Sequence, residues 1–274
     1  MIDVLLATYN GEKFLKEQID SILKQSFKDR QMLIRDDGST DSTVEIIKSY
    51  VNKYPDKIKL IEDNLGNLGV GRNFGTLLEH SQSQYSMFCD QDDVWLPEKI
   101  ELTLNKMKEA ENLHPDLPIL VFTDLTIVDE NLNVIAKSLW SYHKINPQKA
   151  SLLKNLAYRS AVTGCTIMIN KRAREISLPI PEVSRVHDWW VALNTAKYGK
   201  IVYLSQPTVL YRQHPKNVVG TLKKSMTPSV FVQKLKNFFS RFGRDYKTSK
   251  KICPNVNIVV FLLKNLQNSI QRKI

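Results

Sequence analysis

Short apolar segments alternate with helical segments through the first 112 residues, and this alternation constrains the fold more than any other feature. The apolar segments have the length of buried strands and are Asp3–Tyr9, Gln31–Arg35, Ile58–Glu62 and Tyr85–Cys89. Residues with the apolar spacing of a helix follow each of them, including 73–81 and 97–112. Because strands that alternate with such helices form βαβ units, we predict an α/β protein with a mostly parallel central sheet flanked by helices.

The pattern is less regular in the second half of the chain. Strands are predicted at 119–124, 131–135, 165–170, 201–204 and 208–212, and helices at 147–156 and 189–197. The segment 131–135 is predicted to return as a hairpin partner of the strand before it. This half therefore adds hairpin and helix elements to the parallel sheet.

Polar clusters follow three of the predicted strands, at the point where each strand ends. They are Thr8-Tyr9-Asn10, Arg35-Asp36-Asp37 and Asp90-Gln91-Asp92-Asp93. In open α/β sheets the ligand binds beyond the carboxyl ends of the strands. We therefore expect the three clusters to converge on one crevice.

The acidic cluster after the fourth strand indicates a cation site. Three carboxylates within Asp90–Asp93 repel one another, and a divalent cation relieves that repulsion. Oxygen ligands of this kind select Mn²⁺ or Mg²⁺. The alternative is a solvated acidic turn that caps the helix at 97–112.

A second acidic loop follows the neighbouring strand. Asp36 and Asp37 can accept hydrogen bonds from a nucleoside, through a base N–H or a ribose hydroxyl. Asp41 is better explained as the cap of the next helix. Gly69, Gly71 and Gly75 are spaced GxGxxxG, one residue longer than the dinucleotide fingerprint, and they follow the third strand. We expect these glycines and Arg72 to form a loop near a diphosphate, and no GxxxxGK[ST] motif is present.

Positive charge is concentrated at the C-terminal end. Residues 221–274 carry the whole net charge of +11, with twelve lysines and arginines and a single acid, Asp245. Apolar residues in this tail recur at helical spacing and are Phe231, Leu235, Phe238, Phe239 and Phe242. Three interpretations stay open: a helix that packs on the body, a surface helix on an anionic membrane, and a nucleic-acid-binding tail. The last is the weakest because no aromatic platform or recognition motif accompanies the charge.

Cysteine usage and apolar runs bear on the compartment. Cys89, Cys165 and Cys253 are widely spaced and odd in number, which favours a reducing compartment over a disulfide framework. We expect no signal peptide because the first residues lack its charged and apolar regions. The longest apolar run, Ile258–Leu263, is far shorter than the roughly 18 to 20 residues of a spanning helix. A soluble or peripheral protein is therefore expected.

Four motifs in order identify a family resemblance. They are ATYNG at 7–11, IRDDGSTDST at 34–43, the Asn-, Gly- and Arg-containing run at 64–75, and FCDQDDVW at 88–95. This order resembles the inverting glycosyltransferase family 2, and the resemblance covers about residues 1–220. It implies a GT-A fold, with a Rossmann-like nucleotide-sugar half at about 1–124 and an acceptor half at about 125–220. Residues 221–274 would then be a C-terminal helical extension.

The resemblance also implies roles for individual residues. Donor contacts are expected from Thr8, Tyr9, Asn10, Asp36, Asp37, Arg72, Asp90 and Gln91. A Mn²⁺ or Mg²⁺ ion is expected on Asp92, with Asp90 beside it. His214, within a segment that resembles the family's late Y-R-x-H-x-x-N motif, would complete the metal shell, and Arg212 or Lys216 would meet phosphate.

The acceptor side of the site follows from the same resemblance. The catalytic base is expected at Asp188, in a position where the family usually has an acidic pair; here His187 replaces the first acid. Gly164, His187, Trp189 and Trp190 are expected to shape the sugar or acceptor pocket. An alternative for this segment is a helix cap at Asp188 followed by two core tryptophans. Cys165 is expected to pack and not to react.

These residues predict a metal-dependent inverting glycosyltransferase that uses a nucleotide-diphospho-sugar. The DQDDVW element resembles that of bacterial rhamnosyltransferases of cell-wall and capsule polysaccharides, which implies dTDP-L-rhamnose as donor and a polyprenyl-linked glycan as acceptor. The protein would then lie in the cytoplasm, at the inner face of the membrane, through residues 221–274. A UDP-hexose donor (glucose or galactose) and a non-catalytic nucleic-acid-binding protein are the alternatives. A homodimer is left open.

Overall fold

A single sheet with helices on its faces forms the body of the protein. The computed structural model describes residues 1–158, 160, 162–184, 186–215 and 242–271, with side chains in the last helix described to Asn265. The strands are β1 Ile2–Thr8, β2 Arg30–Asp36, β3 Ile58–Leu60, β4 Tyr85–Asp90, β5 Val94–Trp95, β6 Ile119–Val128, β7 Val134–Ala136, β8 Ile167–Asn170 and β9 Lys200–Arg212. The helices are α1 Leu15–Leu23, α2 Thr43–Lys53, α3 Val70–His80, α4 Lys99–Leu113, α5 Leu139–Tyr142, α6 Pro147–Ala150, α7 Leu153–Leu156, α8 Lys171–Ser177, α9 His187–Tyr198, α10 at 242–252 and α11 Ile258–Gln271. A short 3₁₀ turn covers Gly164–Thr166.

The order of the strands agrees with the predicted α/β class. Across the described residues the sheet runs β3-β2-β1-β4-β8-β6-β9-β5, with β7 paired to β6. The strands β1 to β4 pair in parallel, and β6 and β9 run the same way. Only β5, β7 and β8 of the described strands run antiparallel to their neighbours. The sheet is therefore mostly parallel, as predicted.

Apolar residues explain why β1 and β4 lie at the centre of the sheet formed by the first half of the chain. Val4, Leu5, Leu6, Met87 and Phe88 are fully buried, because helices cover both faces of a doubly wound parallel sheet. The carboxyl ends of β1, β2 and β4 meet at one edge, since Thr8 is in register with Asp36 and Ala7 with Asp90. The polar clusters that follow these strands therefore begin side by side.

Two elements of the second half differ from the sequence-based prediction. The predicted strands at 201–204 and 208–212 form one long strand, β9, because the pairing with β6 shifts register around Pro207 and then continues. Proline has no N–H to donate, so the ladder bulges there without ending. The predicted helix at 147–156 divides into α6 and α7 because Leu152 adopts an extended conformation.

The described part of the tail packs against the body. Phe242 and Tyr246 of α10 surround Phe261 of α11, with ring centroids 5.5 and 5.6 Å from it. Phe261 is buried and lies 6.5 Å from the Trp189 ring. Phe231, Leu235, Phe238 and Phe239, which share the predicted stripe with Phe242, lie outside the described residues. No helix in the described ranges is both long and apolar enough to span a bilayer.

Candidate active site

A cavity of about 1430 Å³ lies beyond the carboxyl ends of β1 and β4. The predicted site residues that line it are Thr8, Tyr9, Asn10, Asp37, Asp90, Gln91, Asp92, Gly164, His187, Asp188, Trp189 and His214. The cavity is therefore lined by residues from both the first and the second half of the chain. Asp36, Arg72 and Trp190 are missing from the described lining of this cavity.

Asp90, Asp92 and His214 form one wall of the cavity. The Asp92 Oδ2 atom lies 2.8 Å from His214 Nε2, although 122 residues separate them in the chain. Burial, together with the neighbouring carboxylates of Asp92 and Asp188, raises the pKa of Asp90 to about 8. This repulsion is what a bound cation would relieve. Two carboxylates and an imidazole are a donor set that Mn²⁺ and Mg²⁺ accept, so the residues present fit a divalent cation.

Arg212 holds the acidic loop from behind. Its backbone N–H donates to Asp93 Oδ1 at 3.1 Å, and its Nε donates to the Asp92 carbonyl at 2.8 Å. The guanidinium also lies over the Phe14 ring, 4.5 Å from its centroid, and pairs with Glu17. Arg212 is buried and its polar atoms bond to these partners. It therefore supports the acidic loop from behind and does not line the cavity. Lys216 lies outside the described residues.

Beneath the acidic loop is a buried polar cluster. Ligand atoms of Asp90, Asp93 and Cys165 lie within 4.8 Å of one another. Burial raises the pKa of the Cys165 thiol and of the Asp93 carboxyl well above their ordinary values. A neutral thiol is a poor metal ligand, so Cys165 packs beneath the loop. Burial lowers the pKa of the nearby Lys99 amine to about 8.

The loop after β2 and the loop that leads into α3 lie where the donor contacts are predicted, and this part of the cavity is named the donor side for that reason. Asp37 accepts from Leu68 N and Gly69 N at 2.7 and 2.8 Å, and so closes the loop that leads into α3. Arg35, which is buried, pairs with Asp37 at 2.9 Å and with Asp63 at 2.8 Å. The sequence analysis did not assign a role to Arg35. Its position inside the strand-end cluster was the available signal.

Asp36 and Arg72 have contacts other than the predicted donor contacts. The Asp36 carboxylate accepts from the Thr8 hydroxyl and from the N–H groups of Gly38 and Ser39, which makes it the centre of a turn. Arg72 is 46% exposed and lies 3.3 Å from Glu182. Their donor contacts stay predictions that the described geometry does not favour.

The loop after β1 carries the remaining donor residues. Asn10 has a positive φ of 48°, and its Oδ1 accepts from the Thr40 N–H at 2.8 Å. Tyr9 is 48% exposed inside the cavity. The Gln91 side chain is bonded to Tyr9: its Oε1 accepts from Tyr9 N at 2.8 Å, and its Nε2 donates to Tyr9 O at 2.9 Å.

Asp188 lies in the first turn of α9, in the part of the cavity where the acceptor is predicted to bind and which is named the acceptor side for that reason. Its Oδ2 accepts from Gly164 N at 3.2 Å, and its Oδ1 accepts from Trp189 N at 2.6 Å. These donors and the N-terminal end of the helix stabilise an ionised carboxylate. Asp188 and Asp90 line the same cavity, and the charge of Asp188 contributes, after burial and the charge of Asp92, to the raised pKa of Asp90.

His187 is a neutral part of the core and differs in this from the acid that the family usually has. Its ring lies between Phe74 and Phe88, with centroids 3.8 and 4.5 Å away. Burial lowers the pKa of His187 to about 3, and neither ring nitrogen has a hydrogen-bond partner among the described residues. A Cβ added at Gly164 would lie 3.0 Å from His187 Nε2. The imidazole therefore fills space beside Asp188 and crowds position 164, where a side chain would require the ring to shift.

The two tryptophans of α9 have different positions. Trp189 lines the cavity, and its Nε1 donates to the Leu156 carbonyl at 2.7 Å. Trp190 donates to the Ser177 carbonyl at 2.8 Å and is buried among core residues. Only Trp189 of this pair is placed where a sugar or an acceptor could meet it.

Several lining residues were not predicted from the sequence. Tyr158, Asp245 and Asn265 also line the cavity. Asn265 donates to the Tyr158 carbonyl at 3.2 Å, which joins α11 to the body. Asp245 is the only acid in the basic tail, and this was the signal that could have identified it. The tail therefore contributes polar groups to the same cavity.

Comparisons with known proteins agree with this geometry. The model of glycosyl transferase family 2 matches residues 3–170. The chain belongs to this family. A dTDP-rhamnosyl transferase from Shigella flexneri is 27% identical over 226 residues, covering 78% of this chain and 73% of that protein. The match covers 66% of two further curated relatives, from Rickettsia typhi and Nostoc.

Solved structures establish the fold of this family 2 member. TarS 1–349 of S. aureus, in complex with UDP-GlcNAc, has a TM-score of 0.58 and 19% identity, covering 92% of this chain and 70% of that one. A mannosyltransferase from Pyrobaculum calidifontis, in complex with GDP-Man and Mn²⁺, has a TM-score of 0.59 and 12% identity, covering 98% and 80%. The predicted GT-A fold with a helical C-terminal part is confirmed.

Proposed function

We propose that this chain is a metal-dependent inverting glycosyltransferase with a nucleotide-diphospho-sugar donor. One observation carries the proposal: Asp188 of α9 lines the same cavity as Asp90, Asp92 and His214. A proton acceptor and a set of cation ligands within one cavity are what a single displacement at an anomeric carbon requires.

Asp188 is the proposed catalytic base. The acceptor hydroxyl gives its proton to the Asp188 carboxylate while its oxygen forms a bond to the anomeric carbon. The bond from that carbon to the diphosphate breaks, and the electron pair leaves with the diphosphate. The hydrogen bonds from Gly164 and Trp189 orient the carboxylate for this step. His187 excludes water beside it because the imidazole is neutral and buried.

Asp90, Asp92 and His214 are the proposed ligands of Mn²⁺ or Mg²⁺. When bound, the ion would offset the negative charge that develops on the leaving diphosphate. Thr8, Tyr9, Asn10 and Asp37 are the proposed nucleoside contacts, because they line the cavity on the β1 and β2 side. Of the predicted acceptor pocket, Gly164, His187 and Trp189 remain in the proposal.

The proposed donor is dTDP-L-rhamnose. The DQDDVW element and the likeness to a dTDP-rhamnosyl transferase support it. A UDP-hexose is the second candidate, because the structural neighbour TarS was solved with UDP-GlcNAc. The acceptor would be a hydroxyl of a polyprenyl-linked glycan in cell-wall or capsule synthesis.

A thermal-shift screen of activated sugars tests the donor and the metal together. dTDP-rhamnose with Mn²⁺ should raise the melting temperature more than UDP-glucose, UDP-galactose, UDP-GlcNAc or GDP-mannose, and EDTA should abolish the shift. The Asp92→Asn variant serves as the binding control. An equal rise in melting temperature with and without metal contradicts metal dependence. A larger rise with a UDP-sugar than with dTDP-rhamnose would identify that UDP-sugar as the donor.

The tail is proposed to hold the enzyme at the inner, anionic face of the membrane. Exposed aliphatic side chains on α11 are Ile258, Val259, Val260 and Leu263. The exposed lysines 247, 250 and 251 belong to the adjacent α10. An apolar helix face with basic neighbours is the pattern of a helix that lies in a membrane interface. Because α11 also lines the cavity through Asn265, such binding would bring the acceptor side of the site close to the lipid.

Vesicle sedimentation tests the membrane proposal. A Val259→Ser/Leu263→Ser variant should lose binding to vesicles that contain phosphatidylglycerol, and neither protein should bind neutral phosphatidylcholine vesicles. Leu113→Ser is the matched control, because Leu113 is also an exposed leucine near the end of a helix but lies on α4. Equal sedimentation of the wild-type chain and the double variant contradicts the proposal. Binding to DNA that survives Asp92→Asn would support the nucleic-acid alternative.

A further inference from the structure

Gln91 belongs to the acidic loop Asp90–Asp93, but its side-chain amide contacts the neighbouring loop of the protein. Both polar atoms of its amide are bonded to the backbone of Tyr9, at 2.8 and 2.9 Å. We infer that Gln91 is a positioning residue that fixes the Tyr9 loop to the acidic loop. This inference rests on the proposed function, in which Tyr9 contacts the nucleoside and Asp90 and Asp92 hold the cation.

The amide of Gln91 continues the pairing between two strands. The parallel register of β1 and β4 ends at Ala7 and Asp90. One residue further on, the Gln91 side chain accepts from an N–H and donates to a C=O, as a peptide group of a neighbouring strand would. The two loops are therefore joined beyond the point where the sheet ends.

Gly11 gives independent support for this clamp. A Cβ added at Gly11 would lie 2.2 Å from Gln91 Oε1 and 2.4 Å from Gln91 Cδ. Such distances are far inside van der Waals contact, so the Gln91 side chain occupies the space that a side chain at position 11 would need. A side chain at position 11 would therefore displace the Gln91 amide from the Tyr9 backbone.

The clamp joins three parts of the donor side. The Thr8 carbonyl accepts from Asp37 N at 2.9 Å, which ties the Tyr9 loop to the β2 end. Gln91 ties the same loop to Asp90 and Asp92. Since the nucleoside and the diphosphate of one donor must be held at a fixed separation, the clamp sets that separation before the donor binds.

Calorimetric titration of UDP and dTDP in the presence of Mn²⁺ tests the inference. Gln91→Ala should weaken binding of the preferred nucleotide by about tenfold, since two hydrogen bonds to the loop are lost. Gly11→Ala should weaken it by a similar factor in the wild-type background. In the double variant, Gly11→Ala should add less than about twofold, because the atoms it would meet are gone.

Turnover separates positioning from a purely structural role. Gln91→Ala should raise the donor KM in slow donor hydrolysis and leave kcat within about twofold, because binding changes and the base does not. Gln25→Ala is the matched control. Gln25 also clamps backbone with both ends of its amide, donating to Leu96 O at 2.8 Å and accepting from Ile100 N at 3.1 Å, away from the cavity. It should lower the melting temperature and leave nucleotide affinity unchanged.

The outcomes distinguish this inference from the proposed function. If the wild-type chain binds neither nucleotide with Mn²⁺, the proposed function fails and the clamp fails with it. If the wild-type chain binds and Gln91→Ala binds equally well, only the clamp is overturned. Effects of Gly11→Ala and Gln91→Ala that simply multiply overturn it as well, because they would show that the two residues act independently.

Discussion

The donor side and the acceptor side of the cavity are built in different ways. On the donor side, Thr8, Asp37 and Asp90 directly follow or end parallel strands that lie next to each other. On the acceptor side, Gly164 and Asp188 come from a 3₁₀ turn and a helix start, and buried aromatic rings hold them in place. The donor side therefore follows from the order of strands, whereas the acceptor side depends on how side chains pack.

The two sides also differ in electrostatics. The donor-side carboxylates repel one another, and the pKa of Asp90 is raised to about 8. Asp188, in contrast, accepts two backbone hydrogen bonds and lies beside a neutral imidazole. The first arrangement is one that a bound cation would stabilise, and the second orients a carboxylate through two backbone hydrogen bonds.

Removing one carboxylate from each side should have the largest effect and should separate their roles. Asp188→Asn should lower kcat by about a hundredfold to ten-thousandfold, the range that general bases contribute, while nucleotide affinity with Mn²⁺ stays within about threefold. Asp92→Asn should instead lose most Mn²⁺-dependent nucleotide binding. Steady-state kinetics and calorimetry on both variants check this. Equal loss of nucleotide affinity in the two variants would show that the sides are not separate.

The aromatic packing of the acceptor side is tested at His187. His187→Glu restores an acidic pair but buries a carboxylate between Phe74 and Phe88, so the free energy of unfolding should fall by about 3 kcal/mol or more. His187→Phe, which keeps an uncharged aromatic ring, should cost less than His187→Glu. Urea unfolding measures both. A stable His187→Glu variant with raised activity would mean that the pocket accepts an acid as its relatives do.

The charge repulsion of the donor side makes a pH prediction. In the metal-free chain Asp90 is protonated below a pH of about 8, and a proton must leave before a cation can bind there. Mn²⁺ affinity should therefore rise up to about tenfold per pH unit below that value and level off above it. Titration of Mn²⁺ across this range measures the slope. The Asp90→Asn variant should show weaker binding and a flatter profile, and an unchanged slope would assign the proton to another group.

Arg72 should show the smallest effect. The sequence places it near the diphosphate, but in the structure it is half exposed and pairs with Glu182 outside the cavity. Arg72→Ala should change the donor KM by less than about twofold, because an exposed ion pair contributes about 1 kcal/mol or less. A tenfold rise in donor KM would instead support the prediction that Arg72 lies near the diphosphate, and would extend the donor side to α3.

The sequence predicted positions best where the order of strands along the chain fixes which residues are neighbours in the fold. The acidic run Asp90–Asp93 could be placed beside Thr8 and Asp37 because adjacent parallel strands end at the same edge. It worked less well for side chains whose partners are distant in the chain. Gln91 was predicted to contact the donor, and Arg212 or Lys216 to contact phosphate. In the structure the Gln91 amide is bonded to Tyr9, and Arg212 donates to the Asp92 carbonyl.

The tail shows the same division. Its charge could be read directly from the residues, and Phe242 was predicted to lie on an apolar helix stripe whose other members are outside the described residues. The sequence left open whether that stripe meets the body or a membrane. In the described part, Phe242 and Phe261 pack together toward Trp189, whereas Val259 and Leu263 face outward.

By itself, the sequence determined the α/β class, the family motifs and the acids that meet at the strand ends, because periodicity and local spacing encode these features. Only the tertiary structure decided which polar atoms are left for a ligand. Gln91 and Tyr9 are 82 residues apart, and Asp92 and His214 are 122 apart. Contacts over such separations depend on how the helices and strands pack, since a hydrogen bond forms only when packing brings its two atoms to about 3 Å.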